Sequence, residues 1–344
     1  MDPVSHAALG AAWAQPSVRG PRLLAAAIVG AIAAMTPDLD FLIRSSGDPL
    51  LGLEYHRNFT HSLAFIPIGA LLCAWPLHRL FRSRLSFAQC YLLCLLGYGS
   101  HGLLDACTTY GTLLFWPFSR TRVAWNVVSA VDPLFTLPLL ALAVISVYRR
   151  ATRYAAAGVC WAILYLGIGV VQHERALAAG AALAAARGDA AVRIHAGPAI
   201  GTLLVWRVIY ESAGRYYIDA VRTGAETRVF DGVSVAKLDV ERDFPWLGPG
   251  TQQARDLDRF RWFTSGWLAI DPQHADRVVD LRFALVPNTA DGFWAIVLDP
   301  KAGPDAHVGY VTERRRTLAE GGILLAMILG SRTTGTDSGE ISTR

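Results

Sequence analysis

The run from Phe87 to Cys107 constrains this chain more than any other stretch. It is apolar over the ~20 residues that a bilayer span needs, yet it closes on His101 and Asp105. Ionisable side chains inside such a run are costly, and where they persist they mark function. On a helix, positions i and i+4 share a face, so both side chains point the same way. Gly97, Gly99, Ser100 and Gly102 surround them and would let a second helix or a metal come close. Alone, the pair fits a hydrogen-bonded core as well as a ligand set; its company earlier in the chain tips the balance.

Other apolar runs fill the first half. Ser62–Leu77, Val131–Tyr148 and Tyr154–Val171 predict, with Phe87–Cys107, four full-length spans. Residues 4–15, which contain His6, and Leu23–Met35 are shorter and predict a half-inserted hairpin, ended by Pro37 just before Asp38-Leu39-Asp40. Only 17% of the 344 residues are charged, against ~25% in average soluble proteins, and mean hydropathy is +0.32. The expected architecture is an α-helical polytopic membrane domain, four spans plus the N-terminal hairpin, followed by a β-rich soluble domain. The net charge of +4 gives no nucleic-acid footprint. The five cysteines lie in or beside apolar runs and spell neither a disulfide framework nor a thiolate zinc site. The start, Met-Asp-Pro, lacks the basic region and cleavage site of a cleaved signal peptide.

Arginines fix the expected orientation. Arg79, Arg82, Arg84, Arg149, Arg150 and Arg153, with Arg19 and Arg22, fall on one side; the other holds only Arg44, Arg57, Arg120 and Arg122. The positive-inside rule makes the richer side cytoplasmic. His101, Asp105 and the residues below then face outward, the periplasm of a Gram-negative inner membrane, with the second half of the chain on the same face.

Composition changes near His173, so residues 1–172 are read as the membrane domain. An Ala-rich linker helix is expected over 173–189 and a β-rich extracytoplasmic domain over 190–316. A surface helix and disordered tail are expected over 317–344. Thr202–Glu211 and Gly214–Thr223 predict a hairpin, Gln252–Phe263 a helix, and alternation through Val279, Leu281, Phe283 and Leu285 a strand. No catalytic constellation is legible there; His173, His195, His274 and His307 have no partners at ligand spacing.

The candidate site residues are His6, Asp38, Asp40, His56, His61, His101 and Asp105. Imidazole with carboxylate suits zinc first, manganese or iron next. Seven groups exceed one closed tetrahedral site and suit two metals sharing a carboxylate. Each has a plainer alternative: His6 as a surface residue, Asp38 as an Asx turn, Thr60 as the cap of the next helix. Asp132, before Pro133, fits a helix cap, and His78 sits among arginines on the opposite face. Asp40 is a candidate base and Arg57 a candidate anion holder.

Pro3-Val4-Ser5-His6, Pro37-Asp38-Leu39-Asp40, His56-Arg57-Asn58-Phe59-Thr60-His61-Ser62, His101-x3-Asp105 and Asp132-Pro133-Leu134-Phe135 occur in that order over about residues 1–150. The set resembles the YdjM-type family of bacterial inner-membrane, metal-dependent hydrolases; the scattered His and Asp also look, more loosely, like zinc-dependent phospholipases C. The resemblance implies an α-helical membrane domain, metal ligation by His6, Asp38, Asp40, His56, His61, His101 and Asp105, and hydrolase activity. It implies little about the second half. The expected partners are the bilayer and a small-molecule or lipid substrate, with a phosphoester the expected bond, and no nucleic acid; the sequence names no protein partner. The competing class is a non-catalytic metal-binding membrane protein whose outer domain binds a partner.

Overall fold

The computed structural model describes residues 1–312 and 318–331. The expected disordered tail beyond 331 lies outside the described residues. Two compact units emerge: residues 1–45 with 51–170, and residues 46–50 with the chain from Val171 onward.

The first unit is helical. Its helices are α1 (Pro3–Ala14), α2 (Leu23–Met35), the short α3 (Leu51–Tyr55), α4 (Ile66–Phe81), α5 (Phe87–Ala106) and α6 (Pro133–Arg149). The final expected span and the Ala-rich stretch form one helix, α7 (Thr152–Ala186). Starts follow local chemistry. Asp2 caps α1 through Val4 and Ser5 N–H, Ser86 and Gln89 close a reciprocal box on α5, and Asp132 accepts from Leu134 and Phe135 N–H at α6.

Among the described residues, three stretches are long and apolar enough to cross a bilayer: Gly20–Leu42, Leu63–Phe81 and Thr152–Ala186. The expected set of four is therefore not reproduced. Leu23–Met35 was expected to be too short, but 3-10 turns at Gly20–Arg22 and Thr36–Leu42 extend it at both ends to Gly20–Leu42. Pro37 does not stop the chain; it lies in the first turn of the second of these, where a missing N–H costs nothing. Pro133–Arg149 is apolar but shorter. Helix α5 has the length, but Gln89, Ser100, His101 and Asp105 dilute its apolar character. Outward faces of α4, α6 and α7 carry Leu72, Trp75, Leu134, Leu137, Ile163 and Leu164, all more than half exposed. In water such faces would be sticky; in a bilayer they need no cover.

Helices α1, α2 and α5 meet through glycine. A Cβ on Gly10 would strike the Gly30 carbonyl, one on Gly30 the Gly10 carbonyl, and one on Gly97 the Gly30 carbonyl. Only glycine permits three backbones so close. One turn along each helix from this contact come His6, Ala34 and His101, which form part of the site below.

The second unit carries two antiparallel four-stranded sheets. The first holds β1 (Arg193–Pro198), β2 (Val205–Ser212), β3 (Arg215–Thr223) and β4 (Thr227–Ala236) in chain order. The second holds β5 (Leu268–Asp271), β6 (His274–Asp280), β7 (Trp294–Val297) and β8 (Gly309–Thr312), also in chain order. The expected hairpin is β2–β3, closing at Ser212 opposite Arg215. Between the sheets come the short α8 (Val240–Asp243) and α9 (Gln252–Phe263), the latter capped by Thr251. Ile209, Tyr216 and Ile218 share one core with Ala269, Val279 and Ala295 of the second sheet. The strand expected through Leu285 stops at Asp280, whose carboxylate accepts from Arg282 N–H and clamps its guanidinium at 2.7 and 2.9 Å. That local clamp outcompetes the ladder beyond residue 280. Helix α10 (Leu318–Leu329) was expected on the surface. One face is instead buried, with Leu324 and Met327 packed against Val205, Ala220 and Phe230.

His195 on β1 is buried beside Trp267. Burial first, then the positive fields of Arg282 and Arg207, push its pKa down to about 3. The unfolded chain then takes up a proton below pH ~6.5 that the folded chain refuses until about 3, so acid destabilises the fold. The full-length protein in detergent should lose about 1.6 kcal/mol of stability between pH 6.5 and 5, the slope approaching about 1.4 kcal/mol per unit toward pH 5. Denaturant midpoints followed by tryptophan fluorescence measure this. His195→Gln should flatten the slope; an equal slope in that variant would exclude His195 as its source.

Candidate metal centre

Four side chains of the first unit converge. Asp38 comes from the 3-10 turn after α2, His61 from the turn before α4, and His101 and Asp105 from successive turns of α5. His61 Nε2 and His101 Nε2 stand 2.8 Å apart. Each lies 3.3 Å from Asp105 Oδ2 and 3.4 Å from Asp38 Oδ1. Ligand atoms ~2.0–2.1 Å from a tetrahedral zinc ion stand about 3.3–3.4 Å from one another. Four of the five edges match that figure, and the fifth is shorter.

The protons sharpen the case. His101 Nδ1 faces the Ala34 carbonyl at 2.5 Å, and a carbonyl only accepts, so Nδ1 carries the hydrogen. Thr60 Oγ1 donates to Asp40 Oδ2 at 3.0 Å and so is left to accept. His61 Nδ1, 3.0 Å from that hydroxyl and 3.2 Å from Asp40 Oδ2, is therefore also protonated. In neutral rings both Nε2 atoms would then present lone pairs to each other and to two carboxylate oxygens, the state that metal ligation requires. Asp105 Oδ2 is buried with no hydrogen-bond partner. A proton relieves one such pair at a time; one cation at the centre serves all four. Imidazoles whose far nitrogen donates to a carbonyl or carboxylate are the usual arrangement around a metal.

The surroundings hold these groups rigidly. Gly102 lies against the His61 carbonyl with no room for a Cβ, and Tyr98 donates to the Thr60 carbonyl at 2.8 Å. Arg57 adopts a left-handed φ of 61°, which costs a non-glycine residue ~1–3 kcal/mol. In that conformation its N–H donates to Asp40 Oδ2 at 2.9 Å, its carbonyl accepts from Leu113, and its Nε lies 3.1 Å from Asp105 Oδ2. Its Nη1 donates to Thr108 at 2.8 Å, and its guanidinium lies over Tyr110. Arg57 thus neutralises Asp105 inside the protein and is buried.

The other expected ligands stand around the four. Asp40 Oδ1 meets His56 Nδ1 at 2.8 Å, while Oδ2 serves Arg57, Thr60 and His61, so its oxygens are occupied in orienting two imidazoles. Asp38, Asp40 and His56 also lie close enough to hold a cation, and Asp38 is common to both groups. His6 sits behind Asp105: its Nε2 is 3.1 Å from Oδ1, which the Met1 amine also contacts, and its ring stacks on His101 at 3.7 Å. Thr60 is not the expected cap of the following helical turn; Ser62 is, through Phe65 N–H. The sequence offered Thr60 only as a cap and left Thr108 unread, because their roles depend on a carboxylate and an arginine remote in the chain. Asp132 caps α6 and accepts from Tyr165 at 2.8 Å.

The second unit holds one more cluster among the described residues, Asp48, Asp256 and His307. His307 was expected to lack partners, yet its Nδ1 lies 2.7 Å from Asp256 Oδ2. Arg259 spans both Asp48 oxygens at 2.9 and 3.0 Å and reaches Asp256 at 3.0 Å. Burial would raise the Asp48 carboxyl, but that guanidinium holds it below the usual carboxylate range. The cluster already contains its own cation.

The pattern of the YdjM inner membrane protein family matches residues 1–176, half of the chain. This chain belongs to that family. The matched region covers the whole His/Asp cluster, and YdjM membership agrees with the apolar helices in indicating the inner membrane. The inner membrane protein YbcI of Escherichia coli (strain K12) is 40% identical over 112 residues, 31% of this chain and 62% of that one. The uncharacterized protein YfhP of Bacillus subtilis (strain 168) is 28% identical over 152 residues, 42% of this chain and 46% of that one. The chain thus spans less than two thirds of the length of either relative. No solved structure matches.

Proposed function

We propose that the protein is a membrane-bound, metal-dependent hydrolase of phosphoesters. The reading is carried by one observation: two imidazole nitrogens and two carboxylate oxygens meet at 2.8–3.4 Å, close to the spacing of ligands around one cation. His61, His101, Asp38 and Asp105 would hold a divalent cation, zinc before manganese or iron. When bound, such a cation polarises a phosphoryl oxygen and brings the pKa of a water toward ~7.

The chain supplies the rest. Asp40 fixes the His61 ring and, through Oδ1, the His56 ring. His56 is part-exposed and borders the cavity beside Asp38. With Nδ1 held by Asp40, its Nε2 is placed to take the proton of an attacking water and return it to the leaving oxygen. In the overall step the water oxygen bonds to phosphorus, the ester P–O bond breaks, and the departing alcohol keeps the proton. The base role expected of Asp40 thereby passes to His56, and the anion-holding role of Arg57 becomes neutralisation of Asp105.

Full-length protein purified in detergent should contain at least one divalent ion per chain and hydrolyse bis(p-nitrophenyl) phosphate. EDTA should abolish the activity, and zinc or manganese should restore it. Metal content no higher than that of a cluster-depleted variant would end the metal reading. Metal without turnover would leave a binding protein.

The periplasmic orientation is part of the same proposal. Gly250→Cys should react with an impermeant thiol reagent in intact cells, whereas Ser83→Cys, beside Arg82 and Arg84, should react only after lysis. The reverse pattern would invert the topology.

A further inference from the structure

The first sheet of the second unit carries a buried cation that no side chain neutralises. Residues opposite one another on paired strands share a face, and so do residues two apart on one strand. The register sets His195 opposite Ile209 and Gly197 opposite Arg207, so all four face the same way. Ile209 is buried there in one core with Ala269, Val279 and Ala295 of the second sheet. Arg207 is 3% exposed and His195 8%. Arg207 Nε donates to the Leu281 carbonyl at 2.6 Å and Nη1 to the Pro287 carbonyl at 2.8 Å. Its Nη2 is buried with no partner, and so is His195 Nε2. The neighbouring carboxylates are committed elsewhere. Glu211 binds Arg193 at 2.7 Å and Lys237 at 2.5 Å, and Asp280 clamps Arg282 at 2.7 Å. Asp291 is exposed and reaches Arg207 only through its field. Burial lowers the Arg207 pKa to about 10, which still leaves it charged at neutral pH. Buried charges are costly unless an opposite charge joins them.

We infer that Arg207 Nη2 and His195 Nε2 hold a small monovalent anion of the chloride class, enclosed on the inner face of the first sheet. With its hydrogen on Nε2, His195 donates toward the anion as Arg207 does. The strand neighbours leave room for it. Arg207 is flanked by Gly197 on β1 and Ala220 on β3, so no large side chain stands beside the guanidinium on this face. Size and charge follow from the donors. Both atoms are sealed from solvent, so the ligand must be small enough to be enclosed with them. One unmatched guanidinium balances one negative charge, and a divalent oxyanion would bring more acceptor oxygens than the two donors serve.

The test uses full-length protein in detergent with EDTA present throughout, so that no cation at the cluster of the first unit can hold a halide. Thermal midpoints are read in mixtures of sodium chloride and sodium gluconate at constant ionic strength, gluconate being too large to be enclosed. Chloride should raise the midpoint along a saturating curve, as a ligand of the folded state alone does. Radiochloride in equilibrium dialysis should reach about one ion per chain. Arg207→Met removes the unmatched charge and should abolish both the chloride-dependent rise and the bound radiochloride. Should Arg207→Met fail to fold, His195→Leu carries the test, and its half-saturating chloride concentration should be at least tenfold higher than that of wild type. A wild-type midpoint no higher in chloride than in gluconate would overturn the inference and leave the two donors to buried water. So would a chloride response unchanged in folded Arg207→Met or His195→Leu.

Discussion

Replacing His101 with alanine is expected to strip the protein of its metal while leaving it folded and inserted. Its Nε2 is one of four converging donors, and its ring is fully buried, out of reach of water as a substitute ligand. Bound metal should fall from about one ion per chain to background, and phosphoesterase activity with it. Stability should separate this from unfolding. In chelator, the wild type keeps His61 Nε2 and His101 Nε2 2.8 Å apart beside two carboxylates with no cation between them, so His101→Ala should remain folded there. With metal at ~1,000 times its dissociation constant, wild type alone should gain about 4 kcal/mol, visible as a rise in thermal midpoint. His78→Ala, on α4 among the basic residues of its last turn, should behave as wild type in both conditions. Asp40→Asn should fall between, weakening metal affinity about 10–100-fold, because His61 loses the carboxylate that orients it. Equal metal content in His101→Ala and wild type would show that the four donors do not form the site.

The donors were legible because their chemistry is stated locally. A histidine and a carboxylate inside an apolar run, and aspartates at a helix end after Pro37, are anomalies that need no partner to be noticed. What each one does was not legible. Asp40 and Asp38 differ only by which way a 3-10 turn points them, and the helix break expected at Pro37 concealed that turn. Arg57 looked available to an anion because its left-handed backbone, which aims it inward at Asp105, leaves no mark in composition. The count of four spans is not reproduced for a related reason: Leu23–Met35 was judged without its 3-10 extensions, and α5 was counted as a full span despite the His101 and Asp105 already noted in it. In the second unit, Asp48, Arg259 and His307 lie far apart in sequence, and no periodicity connects them. Helix α10 was long and apolar enough to be seen, but the sheet face that buries Met327 was not.

Gly97 should prove as sensitive as the ligands, though it touches none of them. A methyl group there would overlap the Gly30 carbonyl, which belongs to a helix backbone already pressed against Gly10. Neither partner can swing aside as a side chain would, so α5 must move. Alanine improves helix propensity by up to ~1 kcal/mol, but overpacking a close contact costs ~1–3 kcal/mol. Gly97→Ala should therefore be destabilised on balance, and Gly97→Val more strongly. The displacement is transmitted one turn on. His101 is held by the Ala34 carbonyl, and Ala34 lies one turn beyond Gly30, so separating the helices at 97 draws His101 Nε2 away from His61. Metal affinity should fall at least tenfold in Gly97→Ala, a magnitude typical of disturbed ligand support. Gly99 supplies the control from the same helix: a Cβ there meets only Ile66, at an ordinary 3.5 Å. Gly99→Ala should keep its metal and match or exceed wild-type stability, since it gains propensity without a clash. Thermal midpoints and metal content of the two alanine variants decide the matter. If both variants behave alike, the three-glycine contact does not set the position of the site helix.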